Sequence, residues 1–511
     1  MGSPQLAASP EAKDPSSAPA LLCPPEILGD IFEKSLDYSA AIPTSFKQRF
    51  NFLFVCHWWY QVAVNTARLW TFLNGNVKSW PTFLIRSKSA PLHLHIHQLR
   101  NALPTYLATM FALQQRLETL HIVESWSSLS VLLELLCECD EDALSRLTSM
   151  KLAITTVITH SGAVERANIP DSFISRQFPS LQELELHDCG CDYQAAMFHT
   201  STLRRLSITS YDAITSPSMG DLISILDDNA GLEYLRITPR TLVEDRQMVI
   251  SPLPFLRTLV IEGKLFHVEN FLLIFPISKD LEQVTIRFDL VDATFLMAAI
   301  PSLSVLHRGI VARKFRLDSR QASLEFDVYS DLGITKPYLS FNFQQSIYQQ
   351  PSRIELHAVS TVIPCDSVTV LEIRGDHHPP DECAALLHHM STVDQLQIFE
   401  DCALTVVKVL LPHQEVAPTG DTLSLPVLKK LWLDGINFST IVENRSFFEE
   451  LSGCIRHRRQ AGAELESLVL RGCNIRVEDL DYLREIVGEV DVRDGNLCIA
   501  PEDPVFVISM E

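Results

Sequence analysis

From about residue 114 onward the chain repeats one hydrophobic phrase: apolar, two variable positions, apolar, one variable position, apolar. It reads LETLHI from Leu117, LTSMKL from Leu147, LQELEL from Leu181, LRRLSI from Leu203 and LEYLRI from Leu232. LRTLVI from Leu256, LEQVTI from Leu281, VTVLEI from Val368 and VDQLQI from Val393 continue it. LKKLWL from Leu428 and LESLVL from Leu465 follow, and VGEVDV from Val487 is a weak last copy. The last two apolar positions of each phrase are two apart and share one side of a short strand. Intervals from Leu181 to Leu303, through Leu203, Leu232, Leu256 and Leu281, are 22, 29, 24, 25 and 22 residues. At that period one unit cannot bury its own leucines, and stacked neighbours make a continuous core. Between phrases, SLSVLLELLCE near 128–138 and GDLISILDDN at 220–229 predict helices, whereas FLLIFPI at 271–277 has the length of a buried strand. Between Leu303 and Val368 the phrase dissolves into alternating strand-like pieces, LEFDV at 324–328 and LSFNF at 339–343.

The N-terminal end follows a different rule. Residues 1–20, rich in Pro, Ala and Ser, predict a flexible tail. Pro24 and Pro25 suit a helix start, and Ile27, Leu28, Ile31, Phe32 and Leu36 then recur at helical spacing. A polar stretch with Pro43 interrupts, and a second helical region is expected from Phe46 to Trp70, apolar almost all round. A unit of about fifty residues cannot bury that much aromatic surface alone, so part of it packs on the following domain or on a partner. A three-helix cap on the end of a solenoid is one reading of it.

The order CPPEILGDIF, FLFVCHWWYQVA, NTARLW resembles the F-box, the short helical motif that binds the SKP-type adaptor of cullin–RING ubiquitin ligases. Residues 22–73 carry the resemblance: Pro24, Pro25, Glu26, Ile27, Leu28, Ile31 and Phe32, then Val55, Cys56, Trp59, Val62, Ala63, Leu69 and Trp70. Cys23 departs from the Leu usual before the Pro, and Leu36 to Lys47 is a long connection, read as an external loop. The repeated phrase, extended to a cysteine at Cys189 and Cys473, is similar to the Leu-x-Leu-x-x-Cys form of leucine-rich repeats. Together these resemble F-box leucine-rich-repeat substrate receptors. The fold class implied is α/β: a small three-helix F-box at 21–75, then an irregular leucine-rich-repeat solenoid over 76–511, least regular around 304–367. Its parallel strands line a concave face, and helices and loops form the convex one.

Composition narrows the function. A formal net charge of −21 over 511 residues argues against a general nucleic-acid binder and against attraction to an anionic membrane surface. The N-terminus lacks the pattern of a signal peptide, Leu6 stands where a myristoylation signal wants Ser or Thr, and no apolar run reaches the ~20 residues of a membrane span. The twelve scattered cysteines form no disulfide framework, which points to a reducing compartment, cytoplasm or nucleus.

Candidate chemistry is sparse. No phosphate-binding loop, nucleophile elbow or His-Glu-x-x-His helix occurs. His93, His95 and His97 alternate on LHLHIH with Leu92, Leu94 and Ile96 opposite, either a solvated strand face or a weak zinc candidate. His377, His378, Asp381 and Cys383, with His388 and His389 following, fall around HHPPDEC, whose prolines suggest a loop. Cys137/Cys139 and Cys189/Cys191 have no matching second half. The expectation is therefore a protein without catalytic residues, metal or cofactor: a substrate receptor of an SCF-type ligase. It would reach the cullin and RING subunits through the adaptor and hold one or more target proteins. The alternative is a non-ligase scaffold whose F-box-like helices cap the solenoid. Adaptor contact is expected from Pro25, Ile27, Leu28, Ile31, Val55 and Trp59. Target contact is expected from the variable positions of the strands, where Trp, Tyr and Arg mark interface hot spots. The first set there is Trp432, Phe399 and Arg471, and the second is Tyr234, Arg236 and Arg205.

Overall fold

A computed structural model describes residues 23–36, 50–74, 77–97, 114–138, 144–155, 168–210, 215–239, 250–275, 281–289, 314–319, 323–329, 339–344, 365–375, 380–399, 402–411, 423–442, 445–494 and 496–498. The expected tail, the long connection after Leu36 and most of the irregular region lie outside these residues. The architecture is mixed α/β with parallel-strand sheet. The chain forms two compact units, Met1–Leu206 and Ser207–Glu511. No helix among the described residues is long and apolar enough to cross a membrane.

In the first unit, α1 (Pro25–Ser35) and α2 (His57–Asn65) precede β1 (Phe72–Asn74), α3 (Trp80–Ser87) and β2 (Leu92–His97). Then come β3 (Leu117–Glu124), α4 (Trp126–Cys137), β4 (Ser149–Ile154), α5 (Asp171–Ile174) and β5 (Glu183–His187). The strands β1 to β5 pair in chain order, all parallel. The expected second helical region is divided into short pieces from Phe50 on. Cys56 is extended and accepts the Trp59 N–H on its sulfur, and Thr66 is extended at the other end, its hydroxyl donating to Val62 O at 2.8 Å. On either side the chain makes short 3-10 turns, Asn51–Phe54 and Ala67–Trp70. Among the described residues the stretch holds two α-helices with 3-10 turns, because aromatic and β-branched residues are weak helix formers and capping residues interrupt them.

The boundary between the units falls within β6 (Arg205–Thr209). The second unit continues with α6 (Met219–Asp228), β7 (Tyr234–Ile237), β8 (Thr258–Gly263), α7 (Leu265–Ile274) and β9 (Gln283–Asp289). After β10 (Lys314–Ser319), β11 (Ser323–Tyr329) and β12 (Leu339–Gln344) come β13 (Val370–Gly375), α8 (Pro380–His389) and β14 (Gln395–Phe399). It ends with α9 (Ala403–Leu410), β15 (Lys430–Asp434), α10 (Phe447–Gln460), β16 (Ser467–Arg471), α11 (Val477–Ile486) and β17 (Glu489–Arg493). Strands β7, β8 and β9 are parallel neighbours, as are β13 to β17. Where the phrase dissolves, three strands are inserted in reversed order. β9 pairs β12 in parallel, β12 and β10 each pair β11 antiparallel, and β10 pairs β13 in parallel. The insertion leaves β13 pointing the same way as β9.

The phrase fixes the core. In all eleven full copies its three apolar residues are buried, none more than 5% exposed. The residue after the first apolar position donates its N–H to the equivalent carbonyl of the preceding copy. This holds for Gln182 to Thr148 and Arg204 to Gln182 (both 2.8 Å), and for Glu282 to Arg257 and Glu466 to Lys429 (both 2.8 Å). Strand ends share a corner as well. Asp188, Gly435 and Gly472 follow their strands with φ of 55°, 72° and 60°, a conformation that Gly adopts freely and Asp tolerates. Behind that corner a buried thiol reaches the neighbouring strand: Cys189 Sγ to Leu152 O (3.5 Å) and Cys473 Sγ to Leu433 O (3.3 Å). Cys402 Sγ makes the same contact with Ile373 O (3.5 Å), a third copy hidden in the sequence by a longer corner.

Two local expectations are corrected. FLLIFPI is no strand: its first four residues close α7, where Val268, Phe271, Leu272 and Phe275 bury one helical face. HHPPDEC is only partly loop-like, since Pro380 opens α8 at a position where its missing N–H costs nothing. Helices α6 and α10 begin with capping boxes, Ser218 with Asp221 and Ser446 with Glu449.

Candidate functional site

Helix α1 buries Leu28 and Phe32 and leaves Ile27 and Ile31 about half exposed, at 52% and 51%. Phe32 stacks on Phe52 at 4.3 Å and meets Trp59 at 5.2 Å, and a Cβ on Gly29 would lie 3.1 Å from Thr66 Oγ1. The module thus has a closed inner side, while Phe54 (70%), Val55 (58%), Trp58 and Tyr60 are also exposed. Pro25, Glu26, Trp58, Gln61, Val62, Asn65 and Thr66 line a cleft of about 290 Å³. Of the residues expected to meet an adaptor, Pro25, Ile27, Ile31 and Val55 are exposed. Leu28 turns inward at 2% exposure, and Trp59 is half-buried against Phe32. Trp58, passed over in the sequence, is the indole at the cleft. Helical spacing separates them, because Trp59 shares the inner face with Val62 and Ala63.

In the second unit the variable strand positions form a second surface. Gln397, Trp432, Val469 and Asp491 are register partners across β14 to β17, and Phe399, Asp434, Arg471 and Arg493 form the next row. Trp432, Phe399 and Arg471 are therefore brought together, as expected. Arg374 places its guanidinium 4.0 Å from the Phe399 ring centroid, and Arg493 lies 5.5 Å from that of Trp432. Arg374 and Arg493 hold the same strand position as Phe399 and Arg471, directly after the last apolar residue of their copies, so strand alternation alone could have found them. The second expected set is divided between the two units. Arg205 belongs to the first unit, 3.4 Å from Glu183. Tyr234 and Arg236 belong to the second, and Arg236 Nη2 donates to both oxygens of Glu262 at 3.0 Å. Glu262 also takes Arg287 Nη1 at 2.5 Å, so Arg236 is committed to a structural pair.

The strand face of the first unit is rich in imidazoles. His95, His121, Lys151 and Glu185 are register partners across β2 to β5. Leu92, Leu94 and Ile96 are fully buried on the opposite side of β2. The His95 and His121 rings lie 4.2 Å apart, and Phe72 lies 4.3 Å from His95. Burial, reinforced by the Lys151 ammonium, pushes His121 down to about 4. The His187 hydrogen bond, with Lys151 Nζ at 2.7 Å, holds the Glu185 carboxyl at about 2 against the effect of burial. Among the described residues no three His, Cys, Asp or Glu side chains are grouped to hold a metal ion.

These shifts predict acid sensitivity. Between pH 6.5 and about 4 the unfolded chain takes up a proton that folded His121 refuses, so stability falls as pH falls and levels below 4. Glu185 contributes stability above its ordinary value, lost as pH falls from 4.5 to about 2. His121→Gln is expected to flatten the upper window, by at most about 3 kcal/mol. Urea midpoints at pH 7, 5.5 and 4 check this, and equal slopes in both proteins would contradict it.

Compared with known proteins, the chain matches no family model and no curated protein.

Proposed function

We propose that this chain is the substrate receptor of an SCF-type cullin–RING ubiquitin ligase. Residues 22–73 act as an F-box that docks an SKP-type adaptor, and the rest is an irregular leucine-rich-repeat solenoid that holds a target protein in the cytoplasm or nucleus. The observation that carries the reading is the exposure of large apolar side chains on the helical module: Ile27, Ile31, Phe54, Val55 and Trp58 are each more than a third exposed, while Leu28, Phe32, Val62 and Ala63 are buried. So much exposed apolar side chain on so small a module favours a protein-binding surface. The repeat reading is supported by eleven buried phrases, the in-register amide contacts and the recurring thiol corner. In this function the chain works by tethering, which raises the effective concentration of target near the ubiquitin-loaded enzyme, while the transfer chemistry belongs to other subunits.

Ile27→Asp with Ile31→Asp tests adaptor docking without disturbing the core, which a change at buried Leu28 would do. Recovery of the adaptor with the full chain is expected to fall at least about tenfold, the effect of desolvating carboxylates in an apolar contact. Unchanged recovery by a folded variant rejects the ligase reading. One observation favours the scaffold alternative: Trp70, the last residue of the F-box-like stretch, packs on Phe83 of α3 at 5.2 Å, as a solenoid cap would. In that case the exposed apolar side chains bind some other protein and the adaptor is absent from purified complexes.

A further inference from the structure

The start of α1 and the last turn of α2 border a cleft of about 290 Å³, with room for one long side chain. Pro25 and Glu26 line it from α1, Trp58, Gln61, Val62 and Asn65 from α2, and Thr66 closes it. Its polar side chains turn donors back on their own helix. Gln61 Nε2 faces His57 Nε2 at 3.4 Å, Asn65 Nδ2 donates to Gln61 O at 2.9 Å, and the Thr66 hydroxyl donates to Val62 O. Acceptors are left over. Further along α1, Glu33 lies 3.7 Å from Arg68, but Glu26 has no cation or hydrogen-bond partner among the described residues, and Asn65 Oδ1 accepts no hydrogen bond there. The last carbonyls of α2 add partial negative charge at this end, and Pro25 takes an N–H away from the facing start of α1. Trp58, 36% exposed, brings an indole to the same cleft, and among the described residues no guanidinium or ammonium lies over it. A carboxylate in a first turn is stabilised by the helix itself, but that does not account for the indole and the amide oxygen gathered round this one.

We propose that this cleft takes an arginine side chain from the protein that docks on the helical module, its guanidinium paired with Glu26 and lying against the Trp58 indole. An apolar side chain in the same place would strip water from the Glu26 carboxylate and return nothing. An acidic one would meet a carboxylate, an amide oxygen and the negative end of α2. Arginine presents donors alone, in a planar fork that can reach two acceptors while its face rests on an aromatic ring. Lysine, a compact and strongly hydrated charge, matches the indole and the spread of acceptors less well. The inference deepens the reading above and rests on it only in taking the exposed side of the module as a docking surface.

The test uses the full chain with nitrogen-15 in its tryptophans and follows the Trp58 indole N–H resonance, assigned by its loss in Trp58→Phe. The probes are N-acetyl-arginine amide and its citrulline counterpart, which has nearly the same shape and no charge. The arginine amide is expected to move that resonance with a midpoint on the order of 1 mM, the range for a ligand of its size. The citrulline amide is expected to bind about fivefold more weakly, from the combined loss of the ion pair and the cation–π contact. Glu26→Gln brings the ratio below about two, whereas Asp30→Asn, one turn further along α1, leaves it. Equal binding of the two amides, no movement of the Trp58 resonance with either, or a ratio unmoved by Glu26→Gln overturns the proposal. The comparison of the two amides needs no variant, and Glu26 is exposed, so its substitution leaves the core untouched. No adaptor is present in this experiment. Failure of the Ile27→Asp, Ile31→Asp test therefore removes the ligase reading without touching this result, and failure here leaves adaptor recovery as it was.

Discussion

Replacing Arg458 by alanine is expected to lower the stability of the second unit by about 3–5 kcal/mol, the cost of breaking a fully buried charged contact. Arg458 sits in the last turn of α10 with 0% exposure. Its Nη1 donates to Ser424 O at 2.9 Å and its Nη2 to Leu425 O at 2.7 Å. Leu425 has φ of 51°, in the left-handed region that a bulky residue rarely adopts. The guanidinium therefore holds a strained corner just before β15, and removing it leaves two buried carbonyls at ~1–3 kcal/mol each, plus a cavity. Relief from burying a cation offsets part of this. Arg459→Ala, one residue on, breaks only an exposed pair with Glu464 and is expected to change stability by less than about 0.5 kcal/mol. Urea unfolding of the two variants checks the contrast, and similar midpoints would show that Arg458 carries no structural weight.

That contrast illustrates what was legible in the sequence. IRHRRQ reads as a run of solvated charge, and nothing in its spacing says which arginine turns inward. The repeated phrase was legible because burial of three apolar positions per unit forces a fixed spacing, and every full copy is buried. Two further units are disguised in the sequence by an unusual first position. In PLHLHI the buried Leu92, shifted by a bulge, faces the first position of the next copy in place of Pro91, and in WTFLNG it is Trp70 before Leu73. Both are strands of the parallel stack, β2 and β1. FLLIFPI was misread because a short apolar run fits a buried strand or a helix equally well, and only Val268 upstream completes the helical period. The two expected surfaces were unequally legible. Strand alternation places Trp432, Phe399 and Arg471 on one side without further information, whereas which of Trp58 and Trp59 faces out depends on how α2 rolls against α1.

Trp70→Ala is expected to destabilise the first unit by about 4–5 kcal/mol, in the range for deleting a large buried aromatic. Trp70 is fully buried, stacked on Phe50 at 5.3 Å and edge-on to Phe83 at 5.2 Å, with the Arg86 guanidinium 4.3 Å from its ring centroid. Its Nε1 donates to Ala63 O at 2.8 Å, tying the end of α2 to the strands. Aromatic pairing adds ~0.5–1.5 kcal/mol beyond the area lost, and the orphaned Ala63 carbonyl adds more. Trp70→Phe keeps the stacking and loses the hydrogen bond, so about 1–2 kcal/mol is expected. Amide exchange locates the damage. Trp70 occupies the first position of the β1 unit, so its loss should speed exchange at Leu92, Leu94 and Ile96 in β2 as well as in α2. Faster exchange confined to α1 and α2, with β2 unchanged, would mean that the helical module is an appendage whose packing does not support the strand stack. Its exposed apolar side chains would then be its reason for being there, and the cap reading would lose its one favouring observation.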